Sequence, residues 1–429
     1  MNTYIENPKE IPIIANVDVL VCGGGVAGVG AAIRAARMGA DVMLIEALDC
    51  LGGMATMMSH WAGRSSSKIM TEIISRCKNK YENLGYDKNN CCNDFAINQE
   101  VMKIVLDEMT KEAGVKTLFY TLFCDSITKS GKIIGVTVQN KSGRGMIFAK
   151  CIIDATGDGD VAASAGVPYF KGRESDGKMQ PCTIMFKVGG VDYSRAVFPG
   201  SFETRVETKK GELQSLAKKT LPFPAGHVLL YRQTTPGTVC CNMTNCIDVD
   251  ATNAEDLTRG IRVCRSQIEP IVKFLRKFVP GYENCFLIGS ASLLGIRETR
   301  HFKGKASLMP EDILNAKEFD DWVVKRAFFN FDVHNMTGAS LDKTGVQHKW
   351  PQPKDYTIPY GCLLPENIEG LLLSGRNISG SHLAHSNFRV MPIAMAIGEA
   401  AGIAGAISAK KNIPLCKVDV RKIQEETEK

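Results

Sequence analysis

The chain has 429 residues, 44% of them hydrophobic and 23% charged, with a formal net charge of +6. That length suggests two to three folding units, and the composition is that of an ordinary globular protein with a large core. Its lysines and arginines are scattered rather than clustered, which argues against nucleic acid as a partner.

The segment up to Ile14 carries acidic residues and prolines where a signal peptide needs a basic start and an apolar run. The most apolar long stretch, residues 392–409, is interrupted by Glu399 and rich in Gly and Ala, so a buried helix is expected rather than a membrane span. A cytoplasmic protein without membrane contact is therefore expected. The 15 cysteines, an odd number, fit a reducing compartment. No metal site is expected, because no C-x-x-C occurs and the adjacent pairs Cys91-Cys92 and Cys240-Cys241 lack the spacing of a zinc or iron–sulfur ligand set.

In chain order, residues 17–22 (VDVLVC) read as a buried strand, followed at once by Gly23-Gly24-Gly25-Val26-Ala27-Gly28. A helix over 29–38 and a second strand over 41–45, ending at Glu46, complete a β-α-β unit. In this G-x-G-x-x-G, Gly23 makes the tight turn, Gly25 lets the backbone approach a pyrophosphate, and Gly28 lets the helix pack closely on the strand. The helix N-terminus offers free N–H groups to phosphates, and Glu46 is placed to accept ribose hydroxyls. After Ala47, the run to Gly52-Gly53-Met54 permits a second close backbone approach, as a longer ligand crossing the sheet edge requires.

Helices are expected at 69–77 and 98–113, and strands at 115–123, 132–139, 145–149 and 151–155, the last running into Gly157-Asp158. From about 168 to 352 the texture changes to strand-like pieces at 183–188, 227–232 and 238–243, with a long amphipathic helix at 254–278. Residues 360–364, a buried strand at 370–374, the turn Gly375-Arg376 and the closing helix follow. Pro392 opens that helix at its favoured first position. No Ser, Thr, Asp or Asn directly precedes it, so its positive end is available to a ligand such as the N1–O2 edge of a reduced flavin. The expected fold class is α/β: a Rossmann-like FAD-binding domain split in sequence (1–167 and 356–429) around an inserted α+β substrate domain (168–355).

The segments DVLVCGGGVAGVGAAIRAARMGADVMLIE, LGGMAT, IIDATGDGDVAASAG, GIRETRHFKG and LLLSGRNISGSHLAHSNFRVMPIAMAIGEAAG together resemble the FAD-dependent oxidoreductases of the glutathione-reductase-like superfamily. The resemblance implies that Gly23, Gly25 and Gly28 hold the pyrophosphate and Glu46 the adenosine ribose. Phe123 would bracket the adenine, Gly157 and Asp158 would lie by the pyrophosphate and ribityl chain, and Gly375 and Arg376 would lie under the flavin. Val26, Ala27, Ala47, Gly52, Gly53, Met54, Pro392 and Ile393 complete the expected FAD set. A second glycine-rich unit is missing from the sequence, and so is a redox C-x-x-x-x-C near the first helix, as in disulfide reductases; Cys50 has no partner at that spacing.

Two clusters carry groups suited to proton and substrate handling. His382, His385 and Arg389 fall between the Gly375 turn and the closing helix, in what reads as a loop. Arg297, Glu298, Arg300 and His301 form the other, which could equally be a salt-bridged surface strand. His60 and Arg64 follow the second glycine pair. The expected reaction is hydride transfer between flavin N5 and a small polar substrate, with Arg389 orienting it and His385 as acid or base. The alternatives are an FAD protein without net redox turnover, such as an isomerase or hydratase, and a redox-sensing binding module. The electron donor or acceptor is unassigned, and a homo-oligomer through the middle-domain strands is possible.

Overall fold

A computed structural model describes the chain apart from residues 1, 2, 5, 59, 88–91, 94, 95, 343–351 and 353. Its main sheet is built from the near-continuous apolar runs that parallel strands buried on both faces require. Strands Lys116–Leu118, Val42–Ile45, Ile13–Cys22 and Gly143–Asp154 lie side by side in that order, all parallel. Two neighbours share the far edge of Gly143–Asp154. Its first half pairs antiparallel with Lys132–Asn140, and Leu371–Leu373 pairs parallel with Ile152 to Asp154. The two pieces expected at 145–149 and 151–155 are thus one strand, long enough to serve both partners. The strand expected at 115–123 is instead broken at Tyr120, whose φ of +50° ends one strand before Leu122–Lys129 begins another.

The glycine turn leads into helix Val26–Arg37, which packs against the closing helix, Met391–Lys411. Both helices meet through small residues one turn apart. A Cβ built on Gly398 would stand 2.0 Å from the Ala27 carbonyl oxygen, and one on Gly402 would stand 2.2 Å from that of Ala31. Glycine is the residue that allows this approach. The closing helix is long and apolar enough to cross a membrane by composition, but 94% of its most apolar window is buried inside the protein. Its one acidic residue, Glu399, accepts hydrogen bonds from the Ser67 hydroxyl and the Ile69 N–H, at the start of helix Lys68–Asn83.

A second, antiparallel sheet runs in the order Leu230–Arg232, Val239–Cys241, Phe186–Gly189, Phe286–Ser290. Helix Ala254–Phe278 covers it, with Ile268, Ile271, Phe274 and Leu275 in the shared core. Its N-cap Asn253 accepts from the N–H groups of Glu255 and Asp256, so a strong cap and a long amphipathic pattern start and carry the helix where the sequence puts it. The core of the main sheet also takes in Phe302, Ile313, Val323 and Phe331, from within the stretch expected to form the middle domain. Residues 360–364, expected to rejoin the first domain, include a short 3-10 turn, Tyr360–Leu363. Cys240 and Cys241 are buried free thiols; the Cys91-Cys92 side chains fall outside the described residues.

The helix crossing yields a stability prediction. Gly402→Val should force the two helices apart and cost about 1–3 kcal/mol, the usual range for overpacking. Thermal unfolding should show it as a lower midpoint.

Candidate active site

Three segments build one end of the site. Gly23 (φ +100°) receives the strand, and a Cβ there would meet the Ala155 carbonyl at 2.4 Å. At Gly25 a Cβ would meet nothing within 4 Å, so the backbone there faces open space. Gly28 packs against the turn itself, its missing Cβ lying 1.8 Å from the Gly23 oxygen. Gly25 is the N-cap of the first helix and offers no side-chain cap, which leaves that turn's N–H groups for a ligand. Glu46 accepts from the Gly24 N–H at 2.6 Å and the Leu48 N–H at 2.9 Å. Each carboxylate oxygen keeps a lone pair beyond those bonds, and the residue borders the cavity.

Asp154, at the end of its strand, shapes the next loop by accepting from the N–H groups of Thr156 and Ala162 and from the Thr156 hydroxyl. Burial raises its pKa to about 6 against those bonds. The loop presents Gly157 and Asp158, and Asp158 pairs with Arg376 at 2.7 Å. The closing helix adds its own N-terminus, where Val390 is an N-cap without a side-chain bond.

These segments border one cavity of about 1460 Å³, larger than the roughly 300–1,000 Å³ of most small-molecule sites. Gly23, Gly25, Val26, Ala27, Glu46, Ala47, Gly52, Gly53, Met54, Phe123, Gly157, Asp158, Gly375 and Arg376 all line it. Gly28, Pro392 and Ile393 do not: Gly28 serves the turn, and Val390, Met391 and Ala394 present the closing helix in place of the last two. The residues fit FAD on observations of this structure: two uncapped helix ends, an open-faced glycine, and a carboxylate at the distance of one strand from the turn.

Beyond the cradle the cavity continues against the second sheet, where Tyr231, Asn242, Arg297, Asp332, His334 and Arg389 line it. Arg389 donates to the Asp332 carbonyl at 3.0 Å and to its carboxylate at 2.9 Å. His334 Nε2 lies 3.3 Å from the same carboxylate. Burial pushes the Asp332 carboxyl up, but His334, Arg389 and Arg297 outweigh it and hold the group well below the usual range. Burial and the Arg297 charge lower His334 to about 4.

The sequence-predicted catalytic residues divide. Arg297 and Arg389 line the cavity; His382 and His385 do not. The segment expected as a loop is a helix, His382–Phe388, capped by Ser381, and it turns both histidines into the protein. His385 is buried against His301 and Phe388, and burial takes its pKa well below the ordinary value. His382 Nδ1 and His301 Nε2 both donate to one oxygen of Glu298, at 2.6 and 2.7 Å. The other Glu298 oxygen accepts from the Gln180 N–H, and the Gln180 side chain accepts from the His334 N–H. Glu298 and His301 are therefore a buried network rather than a surface strand. His60 lines the cavity, stacked on Tyr231 at 3.7 Å; Arg64 pairs with Asp355 at the surface. Asp332 and His334 escaped the sequence analysis, although a carboxylate and an imidazole two residues apart in Phe-Asp-Val-His would share one face of an extended segment.

A split Rossmann-type sheet with a glycine turn, a carboxylate bonded to that turn and one cavity of about 1460 Å³ beside them is the frame of an FAD-binding oxidoreductase. The chain belongs to the FAD dependent oxidoreductase family, whose model matches residues 18–427. No curated protein sequence matches it. Among solved structures it is similar to p-nitrophenol 4-monooxygenase PnpA from Pseudomonas putida DLL-E4, at 10% identity over 96% of this chain and 84% of that one, with a TM-score of 0.51. Another is a geranylgeranyl bacteriochlorophyll reductase-like protein from Thermoplasma acidophilum, at 13% identity over 96% and 83%, with a TM-score of 0.49. The likeness to the monooxygenase is one of fold.

Two measurements probe the site. Glu46→Gln should weaken FAD binding by about tenfold or more, since a charged acceptor is worth roughly 1.5–3 kcal/mol per bond; fluorescence titration of the apoprotein reads this directly. Glu298→Ala leaves two buried imidazole N–H groups without their acceptor, at about 1–3 kcal/mol each. A lower unfolding midpoint in urea is expected, and an unchanged midpoint would show the network to be idle.

Proposed function

We propose that this protein moves a hydride between its FAD and a small polar substrate bound in the chamber between the cofactor cradle and the second sheet. The observation that carries this reading is the continuity of a single cavity from Glu46 to His334, so that cofactor and substrate can share one space. When bound, FAD supplies the centre that accepts or donates the hydride. The protein must hold the substrate, exclude water and move a proton.

For the proton we assign His334 in place of His385, which the structure buries away from the cavity. Its pKa near 4 keeps the imidazole neutral at physiological pH, the state in which a ring nitrogen can take a proton from a C–OH or C–H undergoing dehydrogenation. Asp332 orients the ring and would stabilise the imidazolium as it forms. Arg389 is committed to Asp332 through two bonds, so its role is to fix this pair at the N-terminus of the closing helix rather than to clamp substrate.

The test is anaerobic mixing of the FAD-loaded protein with panels of small alcohols, hydroxy acids and amines, followed at the visible flavin band. Bleaching with stoichiometric oxidised product is expected. If no panel member bleaches a flavin that dithionite reduces readily, hydride transfer in this direction is wrong, and the reduction of activated alkenes by the reduced protein is the remaining arm. His334→Gln should keep FAD and lose about 10²–10⁴ in turnover. The base is active above its pKa and lost on protonation, so kcat/KM should fall below pH 4 to 5. An inflection near 6.5 that vanishes in the variant would contradict the assignment of a strongly depressed imidazole.

A further inference from the structure

Four arginines line the cavity: Arg297, Arg300, Arg376 and Arg389. Three have a carboxylate of their own. Arg300 pairs with Asp160 at 2.8 Å, Arg376 with Asp158 at 2.7 Å and Arg389 with Asp332 at 2.9 Å. Arg297 has none within 4 Å among the described residues, although it is 7% exposed. Its Nη1 donates to the Pro181 carbonyl, and its Nη2 reaches the Asn242 side-chain oxygen only at 3.5 Å. A guanidinium has five N–H donors, so most of this one's capacity is unspent by the protein.

A buried charge without a partner is costly, and proteins leave one only where something else supplies the counter-charge. The nearest carboxylate, Asp332, supplies only part of it and makes its bonds elsewhere. Asp332 is shared between Arg389 and His334. Burial keeps His334 neutral, as it does His227 behind it, whose pKa is near 3. This end of the cavity therefore holds two guanidiniums against one carboxylate. Burial and the neighbouring Arg389 charge press on Arg297, yet its pKa of about 10 still leaves it cationic at neutral pH.

The position is fixed by the second sheet rather than by the cradle. Gly295 and Thr183 exchange backbone hydrogen bonds at 2.7 and 3.2 Å, setting the segment that carries Arg297 beside Asn242. Leu229 and Leu294, from the apolar cluster under this wall, also line the cavity.

We infer that Arg297 is the receptor for a carboxylate on the substrate, and that the substrate is an organic monoanion whose carbon skeleton lies against Leu229 and Leu294. A guanidinium and a carboxylate meet through two parallel N–H···O bonds, which suits the unspent fork. This deepens the hydride-transfer reading and rests on it, since it places the substrate in the same chamber.

The test uses the FAD-loaded protein in its oxidised form, so that it reads binding rather than turnover. Benzoate and butyrate, with benzamide and butyramide as uncharged controls, are titrated by calorimetry and by the shift of the flavin absorbance band. Saturable binding of the acids, at least about tenfold tighter than the amides, is expected. Arg297→Gln should abolish that preference while FAD content and affinity stay as in the parent, and Arg297→Lys should restore part of it. Equal binding of acid and amide, or no binding of either, overturns the proposal. So does an Arg297→Gln protein that holds the acids as before, or one that loses FAD while Arg297→Lys retains it, since the charge would then serve the cofactor. Acids that bind through Arg297 but never reduce the flavin, hydroxy acids included, would leave the anion site standing and count against hydride transfer alone.

Discussion

The contact on which the rest depends is the crossing of the first and last helices, Val26–Arg37 and Met391–Lys411. Their sequences lie more than 350 residues apart, yet Gly398 and Gly402 sit against the carbonyls of Ala27 and Ala31 too closely for any Cβ. The two helices start at the same cavity, each without a side-chain cap. Both present unpaired N–H groups to it, and each such end favours negative charge. A larger residue in the crossing would move one helix end relative to the other. The geometry of the cofactor cradle is therefore set in part by Gly398 and Gly402, which do not line the cavity.

The buried charges follow a second order. Cavity carboxylates are used to spend arginines: Asp158 takes Arg376, Asp160 takes Arg300 and Asp332 takes Arg389. Asp158 also accepts from Thr299, so the loop after the main sheet is tied to the Arg297–His301 segment as well as to the closing turn. On the other side of that segment, Glu298 draws in His301 and His382 and reaches His334 through Gln180. Burial opposes the charge on Glu298, but the two imidazole donors outweigh it and hold the carboxyl well below the ordinary range. The same segment thus has one side chain bound into a buried network and its neighbour, Arg297, left facing the cavity.

The sequence was most legible where backbone geometry is demanded by chemistry. Gly23, Gly25 and Glu46 could be read because a dinucleotide constrains spacing within one β-α-β unit, the Gly375-Arg376 turn through the family resemblance, and all line the cavity. The long middle helix could be read because cap and periodicity agree. Three things were not legible, for separate reasons. Ser-His-Leu-Ala-His has no length of apolar pattern to mark a helix, so the Ser381 cap was passed over and the histidines were assigned to a loop facing the flavin. The break at Tyr120 depends on a positive φ adopted by a non-glycine residue, which residue type does not disclose. Asp332 and His334 lie in a stretch with little regular structure, and their meaning comes only from Arg389, more than fifty residues further on.

That distant tie bears on how the chamber divides its labour. Arg389 directly precedes the closing-helix cap, and its bonds to the Asp332 carbonyl and carboxylate set residues 332–334 by the cofactor end of the protein. Arg297 is placed instead by the Thr183–Gly295 pairing beside the second sheet. A proton-handling group should keep a fixed distance from the cofactor whatever the substrate, because the reacting atoms must meet it in one geometry. A substrate-binding cation has no such tie to the cofactor, and a change of substrate asks only that its wall be reshaped. Two neighbouring arginines, one anchored to the cradle and one to the opposite wall, meet these separate demands. The two arginines of this end of the cavity are thus held from opposite walls, with Gln180 joining Glu298 to His334 between them.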